Sequence, residues 1–475
     1  MKRHALRRRT AALAVVLAAS ATGALTGTAP AAATTTPPVI TLQAPLPAAV
    51  PAGVTKGIAS TVQPSFVFRT TAPTVNTDAT LTIDARKLAK VAHVTFSQNC
   101  TVKAFVATCS EFFSGQNLTP NTGLASATYM DISTLKGVPT GTTGTYTVTG
   151  TAAHAKIVGA SGSVVVGGPA LSQTLTKNYT NLKVGSTVSE PVRFSNIGTR
   201  PAAAATIILM TSPGLDFATR YANCKYSAAT NSVTSGVALC TIPGPVRVAE
   251  TAQLSTPVQL RVNSTAYYTY LDTITAPASD PTLAWVLKGR TWKQGTGTKL
   301  GLHVITAGRV TSATASTVSL QQSGSNTDYQ IASLQALNTA NFGVSGATVT
   351  AAQGQTAKLT FRMANHGPAT IFYRSGDTLG VKVTIPPGTT VVGSSANCSP
   401  SIVDDPTVKA HGPYSCSGSY LVPRSQEYTY TITLRVDTVI PHAKGQVAMD
   451  WSPNPTWRPA FDTVASDDSR DLIVN

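Results

Sequence analysis

The sequence predicts an all-β chain of tandem β-sandwich domains, each holding its own disulfide. Three observations carry that expectation. Ala, Thr, Ser, Gly and Val dominate a chain of 475 residues in which only 12% are charged, and no long segment keeps a helical period. Thr and Val suit pleated, half-buried strands, while 36 Gly and 30 Pro supply turns and break helices. A series of turn and strand motifs occurs twice, about 170 residues apart, and six cysteines fall into three local pairs.

The duplication rests on spacing. Gly185 precedes Asn196 by eleven residues, and Gly354 precedes Asn365 by eleven. Strand-like runs lie between them, each ending in an Asn-x-Gly turn: Asn196-Ile197-Gly198 and Asn365-His366-Gly367-Pro368. Next come Pro213-Gly214 and Pro387-Gly388, and each glycine is followed ten residues later by a cysteine, Cys224 and Cys398. Their partners, Cys240 and Cys416, lie sixteen and eighteen residues further on. Both copies then give a Leu-Arg-Val strand (Leu260 to Val262; Leu434 to Val436) and a tryptophan pair, Trp285/Trp292 and Trp451/Trp457. So many shared offsets define an internal repeat.

The N-terminus reads as an export address. Lys2, Arg3, Arg7, Arg8 and Arg9 precede an apolar run from Ala11 to Leu25, and Ala31-Ala32-Ala33 offers a cleavage site before Thr34. Residues 1–33 are therefore expected to be a signal peptide. Cys100/Cys109, Cys224/Cys240 and Cys398/Cys416 are expected as disulfides, because an exported chain meets an oxidising compartment. Zinc is not expected, since no second Cys or His lies two to four residues from any of them.

In order, residues 34–53 form a Pro/Thr-rich leader with an edge strand near Val39 to Leu42. A first domain over 54–168 is the divergent copy: Phe68-Arg69 and Asn76 echo the repeat, and Ser110 to Leu135 is expected as a long polar loop. Gly167-Gly168-Pro169 marks a boundary. A second domain spans 170–309 and closes with the run Leu300 to Ile305. Residues 310–337 have the composition of a Ser/Thr/Gln-rich flexible linker, in which Tyr329 to Leu337 could form a short helix, and a third domain fills 338–475. About seven short strands per domain, with turn signals every ten or so residues, fit an Ig-like sandwich. The antibody-type cysteine spacing is absent, so each bridge is expected to clip neighbouring strands or a hairpin.

Asn365-His366-Gly367-Pro368, Pro387-Gly388, Cys398, Cys416 and the strand Thr433 to Val436 resemble the bacterial secreted "conserved repeat domain", domain of unknown function eleven, related to CARDB-like adhesion modules. Asn196-Ile197-Gly198, Pro213-Gly214, Cys224 and Cys240 resemble it as well. The resemblance covers about half of the chain. It implies a surface Ig-like module, often in tandem, with no catalytic residue assigned.

Chemistry-bearing motifs are lacking: there is no G-x-S-x-G, no H-E-x-x-H and no phosphate-cradling glycine loop. No catalytic residue, cofactor or metal is expected, and Asp404/Asp405 and Asp467/Asp468/Asp471 read as solvated loop charge rather than calcium ligands. Removing the five basic residues of the leader takes the formal charge from +16 to +11, spread without a basic stripe, so no nucleic-acid partner is expected. No membrane span is expected after cleavage of the leader. Tyr267, Tyr268 and Tyr270, with Tyr428 and Tyr430, allow either an aromatic platform for sugar rings or ordinary packing, and packing is the simpler expectation. The functional expectation is a non-enzymatic exported protein, secreted or loosely wall-associated, acting in envelope structure, spacing or adhesion through a surface protein. The alternatives are a module that binds wall polysaccharide or another anionic polymer and, behind it, an enzyme with its site in the Ser110 to Leu135 loop.

Overall fold

The computed structural model describes residues 37–475 apart from 73–74, 115–117, 119–122, 175, 232, 279–282, 284–287, 310, 312, 317, 323–328 and 452–457. The signal peptide expected over 1–33, Trp285 and Trp457 lie outside the described residues. What is described is almost wholly β, folded as three sandwiches with three separate cores.

The third sandwich shows the plan most simply. One sheet runs Phe342–Ser345, Thr356–Asn365, Glu427–Val436, Thr389–Ser394. The facing sheet runs Ala347–Val349, Ser469–Val474, Ala443–Asp450, Gly380–Thr384, and then a hairpin, Tyr414–Ser417 with Cys398–Pro400. The first, second, fifth and fourth main strands thus share one sheet and the third, sixth and seventh share the other, which is the Ig order. Alternation drives it. In Thr356–Asn365, Ala357, Leu359, Phe361 and Met363 are buried while Thr356, Lys358, Thr360 and Arg362 are exposed. The short strand Ala347–Val349 pairs in parallel with the last strand, Ser469–Val474.

The second and first sandwiches repeat this order, with the second and fifth strands each broken in two. In the second, Tyr179–Lys183 pairs in parallel with Tyr329–Leu337; in the first, Ala48–Val50 pairs in parallel with Ala160–Val166. The first domain therefore diverges in sequence but not in topology. The residue at its Asn position is Thr70, not Asn76. Thr70 pairs with Ile40 of the opening strand, as Asn196 pairs with Leu171 and Asn365 with Phe342.

Five local expectations are corrected. Tyr329–Leu337 is a nine-residue strand, not a helix or linker; every second residue from Gln330 to Ala336 is buried, which is the period of a strand. It closes the second sandwich, whereas Leu302–Thr306 is only an added edge beside Thr251–Leu254. The described part of 313–322 is not a free linker but a strap across the first junction, bridging Ser316 to Ala202, Leu320 to Ala49 and Gln322 to Ile58. Ser/Thr/Gln composition hid this because the strap is held by backbone bonds, which composition does not report. Val39–Leu42 is the expected strand, but it lies between two others rather than at an edge, and with Ala48–Val50 it belongs to the first sandwich, so the described part of the 34–53 leader does not stand apart from it. The expected loop from Ser110 to Leu135 likewise contains strand, including Met130–Thr134.

Candidate functional site

Two constellations recur: a braced hairpin in each sandwich and a clamp at each junction. The disulfides Cys100–Cys109, Cys224–Cys240 and Cys398–Cys416 join residues directly opposite in the added hairpin, with Cα atoms 3.9, 4.0 and 4.0 Å apart. Each first cysteine is preceded by an asparagine. Asn99 Nδ2 donates to the Ser110 carbonyl at 2.8 Å, Asn223 Nδ2 to Thr241 at 2.9 Å and Asn397 Nδ2 to Ser417 at 3.1 Å. In return Ser110, Thr241 and Ser417 donate their N–H groups to the asparagine carbonyls. Backbone and side chain thus close a ring around each bridge. The sequence held the signal, Asn-Cys in all three copies, and cysteine spacing alone passed over it.

The Asn-x-Gly turns work at the junctions. Asn196 and Asn365 are fully buried. Asn196 Oδ1 accepts the N–H groups of Gly198 at 3.0 Å and Ala170 at 3.2 Å, while its Nδ2 donates to Arg200 and Val246 carbonyls. Asn365 Oδ1 accepts Gly367 N–H at 3.1 Å, and its Nδ2 donates to Ala369 and Val422. Residues 167–170 join the first two sandwiches and 338–341 the last two, four residues each. The turns seize these links. Ile197 N–H bonds the Ala170 carbonyl, as His366 N–H bonds Asn341; Thr199 N–H bonds Gly168, as Ala369 N–H bonds Thr339. A Cβ on Gly198 would lie 2.4 Å from the Gly168 carbonyl oxygen, and one on Gly367 would lie 2.4 Å from Ala340 Cα. Glycine is required there by approach, not by φ. Pro368 continues the second turn.

Pro213-Gly214 and Pro387-Gly388 serve the opposite pole. Gly214 and Gly388 have positive φ (98° and 77°), and their carbonyls accept the N–H groups of Asn263 and Asp437, just after the Leu-Arg-Val strands. Gly185 and Gly354 donate to Val262 and Val436. This pole of the second sandwich carries Thr265, whose carbonyl accepts Thr370 N–H of the third at 2.8 Å.

The tyrosines lie at that second junction. Tyr267 packs edge-on to Phe461 at 5.3 Å, Tyr268 against Tyr373 at 6.0 Å, and Tyr270 against Phe372 at 5.7 Å. Burial pushes the Tyr268 phenol up to about 12 and those of Tyr270 and Tyr373 above their ordinary value. Arg374 lies 5.6 Å over the Tyr270 ring and bonds Asp272. Tyr430 is core, and Tyr428 is half-buried with its hydroxyl toward the Leu421 carbonyl. No aromatic platform is left standing free among these five. Trp451 packs on Phe342 and Phe461, whereas Trp292 lies against an outer cluster around Ile208 and Ile274, so the two occupy different places.

Phe461 is held by its neighbour. Asp462 accepts Phe342 N–H at 3.0 Å and pairs with Arg458 at 2.8 Å, and Arg458 also pairs with Asp468. Burial, with the Asp462 charge beside it, pushes the Asp468 carboxyl up to about 6, and burial raises Asp462 too. Asp467 accepts from Asn341, Asp471 pairs with Lys444, and Asp405 caps the short helix Pro406–His411. Among the described residues no three His, Cys, Asp or Glu side chains gather as metal ligands. No described helix is long and apolar enough to cross a membrane.

No protein-family model matches the chain, and no curated protein matches it. Solved structures similar along most of the chain include the Dpr2 Ig1-Ig2 complex with DIP-Theta Ig1-Ig3 (9% identity, TM-score 0.22, covering 92% of this chain and 99% of that one). The titin I9-I11 tandem (7%, 0.16, 92% and 98%) and protocadherin gamma B7 cadherin domains 1-4 (8%, 0.20, 91% and 76%) are others. Strand order is what makes the three sandwiches Ig-like.

Proposed function

We propose that this chain is a non-enzymatic exported protein whose tandem Ig-like modules act as a stiff spacer or adhesion element at the cell envelope. The observation that carries the reading is the pair of clamped links. Two four-residue connections are held by the backbones of equivalent turns, each folded around a buried asparagine and carrying a close-approach glycine, and short links fixed at both ends favour defined spacing over free articulation. Three disulfides fit an oxidising compartment, and of the motifs resembling the bacterial conserved repeat domain the Asn-x-Gly turns are the ones that build the clamps. Of the tyrosines that a polysaccharide-binding module would use, Tyr267, Tyr268 and Tyr270 pack at the second junction and Tyr430 in a core, which weighs for spacing and against that alternative. Fractionation of the producing cells tests the reading. The chain is expected in wall or medium, beginning at Thr34, with all three bridges formed. A cytoplasmic chain with reduced cysteines contradicts it.

A further inference from the structure

The braced hairpin of the first sandwich ends in an exposed tip. Cys100–Lys103 turns into Val106–Phe113 through Ala104 and Phe105, at φ 46° and 60°. A two-residue turn with positive φ at both positions ordinarily takes Asn-Gly; Ala and Phe relieve none of its crowding. Phe105 is nevertheless 49% exposed, and Val102, three residues before it on the same hairpin, 48%. The Phe105 carbonyl accepts Ala85 N–H at 2.9 Å, which sets the tip next to Arg86 and Lys87. Lys103, across the turn from Val106, and Lys90 are exposed as well. Asp84, paired with Arg86, is the one acid in 84–91 and 100–106.

We infer that this tip docks the first sandwich onto an anionic lipid bilayer, with Phe105 and Val102 entering the headgroup–acyl boundary and Lys87, Lys90 and Lys103 meeting the headgroups. Charge complementarity selects an anionic surface. The exposed apolar pair selects a bilayer over a soluble polyanion, which has use for the lysines but none for a strained, outward phenylalanine. The inference rests on the first sandwich alone and stands or falls apart from the spacer reading. The Asn99–Ser110 ring and the disulfide make the tip rigid, so little order has to be imposed on binding.

The experiment is sedimentation of the mature chain, Thr34 to Asn475, with vesicles of phosphatidylcholine alone or with about one third phosphatidylglycerol, at fixed salt. Retention is expected only on the anionic vesicles. Lys87→Glu with Lys103→Glu should weaken it by at least about 25-fold, taking about five-fold for each charge removed. Phe105→Asn suits the positive φ and should keep the fold, verified by an intact Cys100–Cys109 bridge, yet weaken retention about five-fold or more. Phe105→Trp should retain binding and add a blue-shifted emission over the wild-type background. Equal retention on neutral vesicles, retention indifferent to Phe105→Asn, or binding to a soluble polyanion but to no vesicle would each overturn the inference.

Discussion

Arg374 of the third sandwich reaches Asp272 of the second, its Nη1 2.8 Å from one carboxylate oxygen and 2.9 Å from the other. The same guanidinium bonds the Tyr329 hydroxyl, on the strand that closes the second sandwich. Both charged side chains are partly shielded, 32% and 18% exposed, so the pair is stronger than an open surface bridge. Arg374→Ala is expected to weaken the junction by about 1 kcal/mol without unfolding either sandwich. Proteolysis at 338–341 should accelerate while the cores stay protected, and an unchanged cleavage rate would remove the pair from the account.

Gly198→Ala and Gly367→Ala each place a Cβ against backbone atoms of the preceding link. Each is expected to destabilise its junction by about 1–3 kcal/mol, the range for forced overpacking. Gly393→Ala is the control, since its new Cβ would lie 3.8 Å from Thr433. Thermal unfolding of the three variants is the measurement, and equal midpoints for all three would contradict the clamp.

The ring around each disulfide predicts an asymmetry. Asn397→Ala removes one donor to the Ser417 carbonyl, an expected loss of about 1 kcal/mol. Asn397→Asp turns that donor into a charged acceptor facing the carbonyl and should be worse than Ala. Replacing Cys224 and Cys240 by Ala should lose about 3 kcal/mol. Denaturant unfolding ranks these, and Asp milder than Ala would sink the proposed donor role.

Asp468 supplies a pH dependence. Its folded carboxyl is raised to about 6, so the folded state holds this proton more tightly than the unfolded chain. Stability of the third sandwich should therefore fall as pH rises from the ordinary carboxylate range through about 6, and be highest below it. Asp462 shifts in the same sense, with Arg458 opposing both. Asp468→Asn keeps an oxygen toward Arg458 and should raise the midpoint at neutral pH while flattening the profile. A midpoint that climbs with pH over this range in the parent chain would contradict the assignment.

Much of the fold was legible in the sequence. Alternation, the offsets from Gly185 and Gly354, and the cysteine pairs pointed to tandem sandwiches, each with a local bridge, because strand period and turn chemistry are local properties. The junctions were not legible. Tyr267, Tyr268 and Tyr270 read as sheet residues, and nothing local revealed that Phe461, Tyr373 and Phe372 of another sandwich cover them. Tyr329–Leu337 was lost to the composition of the segment before it. Thr70 hid because a hydroxyl replaced an amide at the same register. Asn99, Asn223 and Asn397 were within reach, since an Asn-Cys pair in three copies is a visible repeat.

The spacing between the first and third sandwiches is read by the distance distribution between spin labels at Thr80 and Gln446, both exposed on inner strands of their sheets. The clamped links predict one narrow distance peak that broadens when Asn196→Ala and Asn365→Ala are combined. A broad distribution in the parent chain, unchanged by those substitutions, would show that the sandwiches swing freely and would contradict the account.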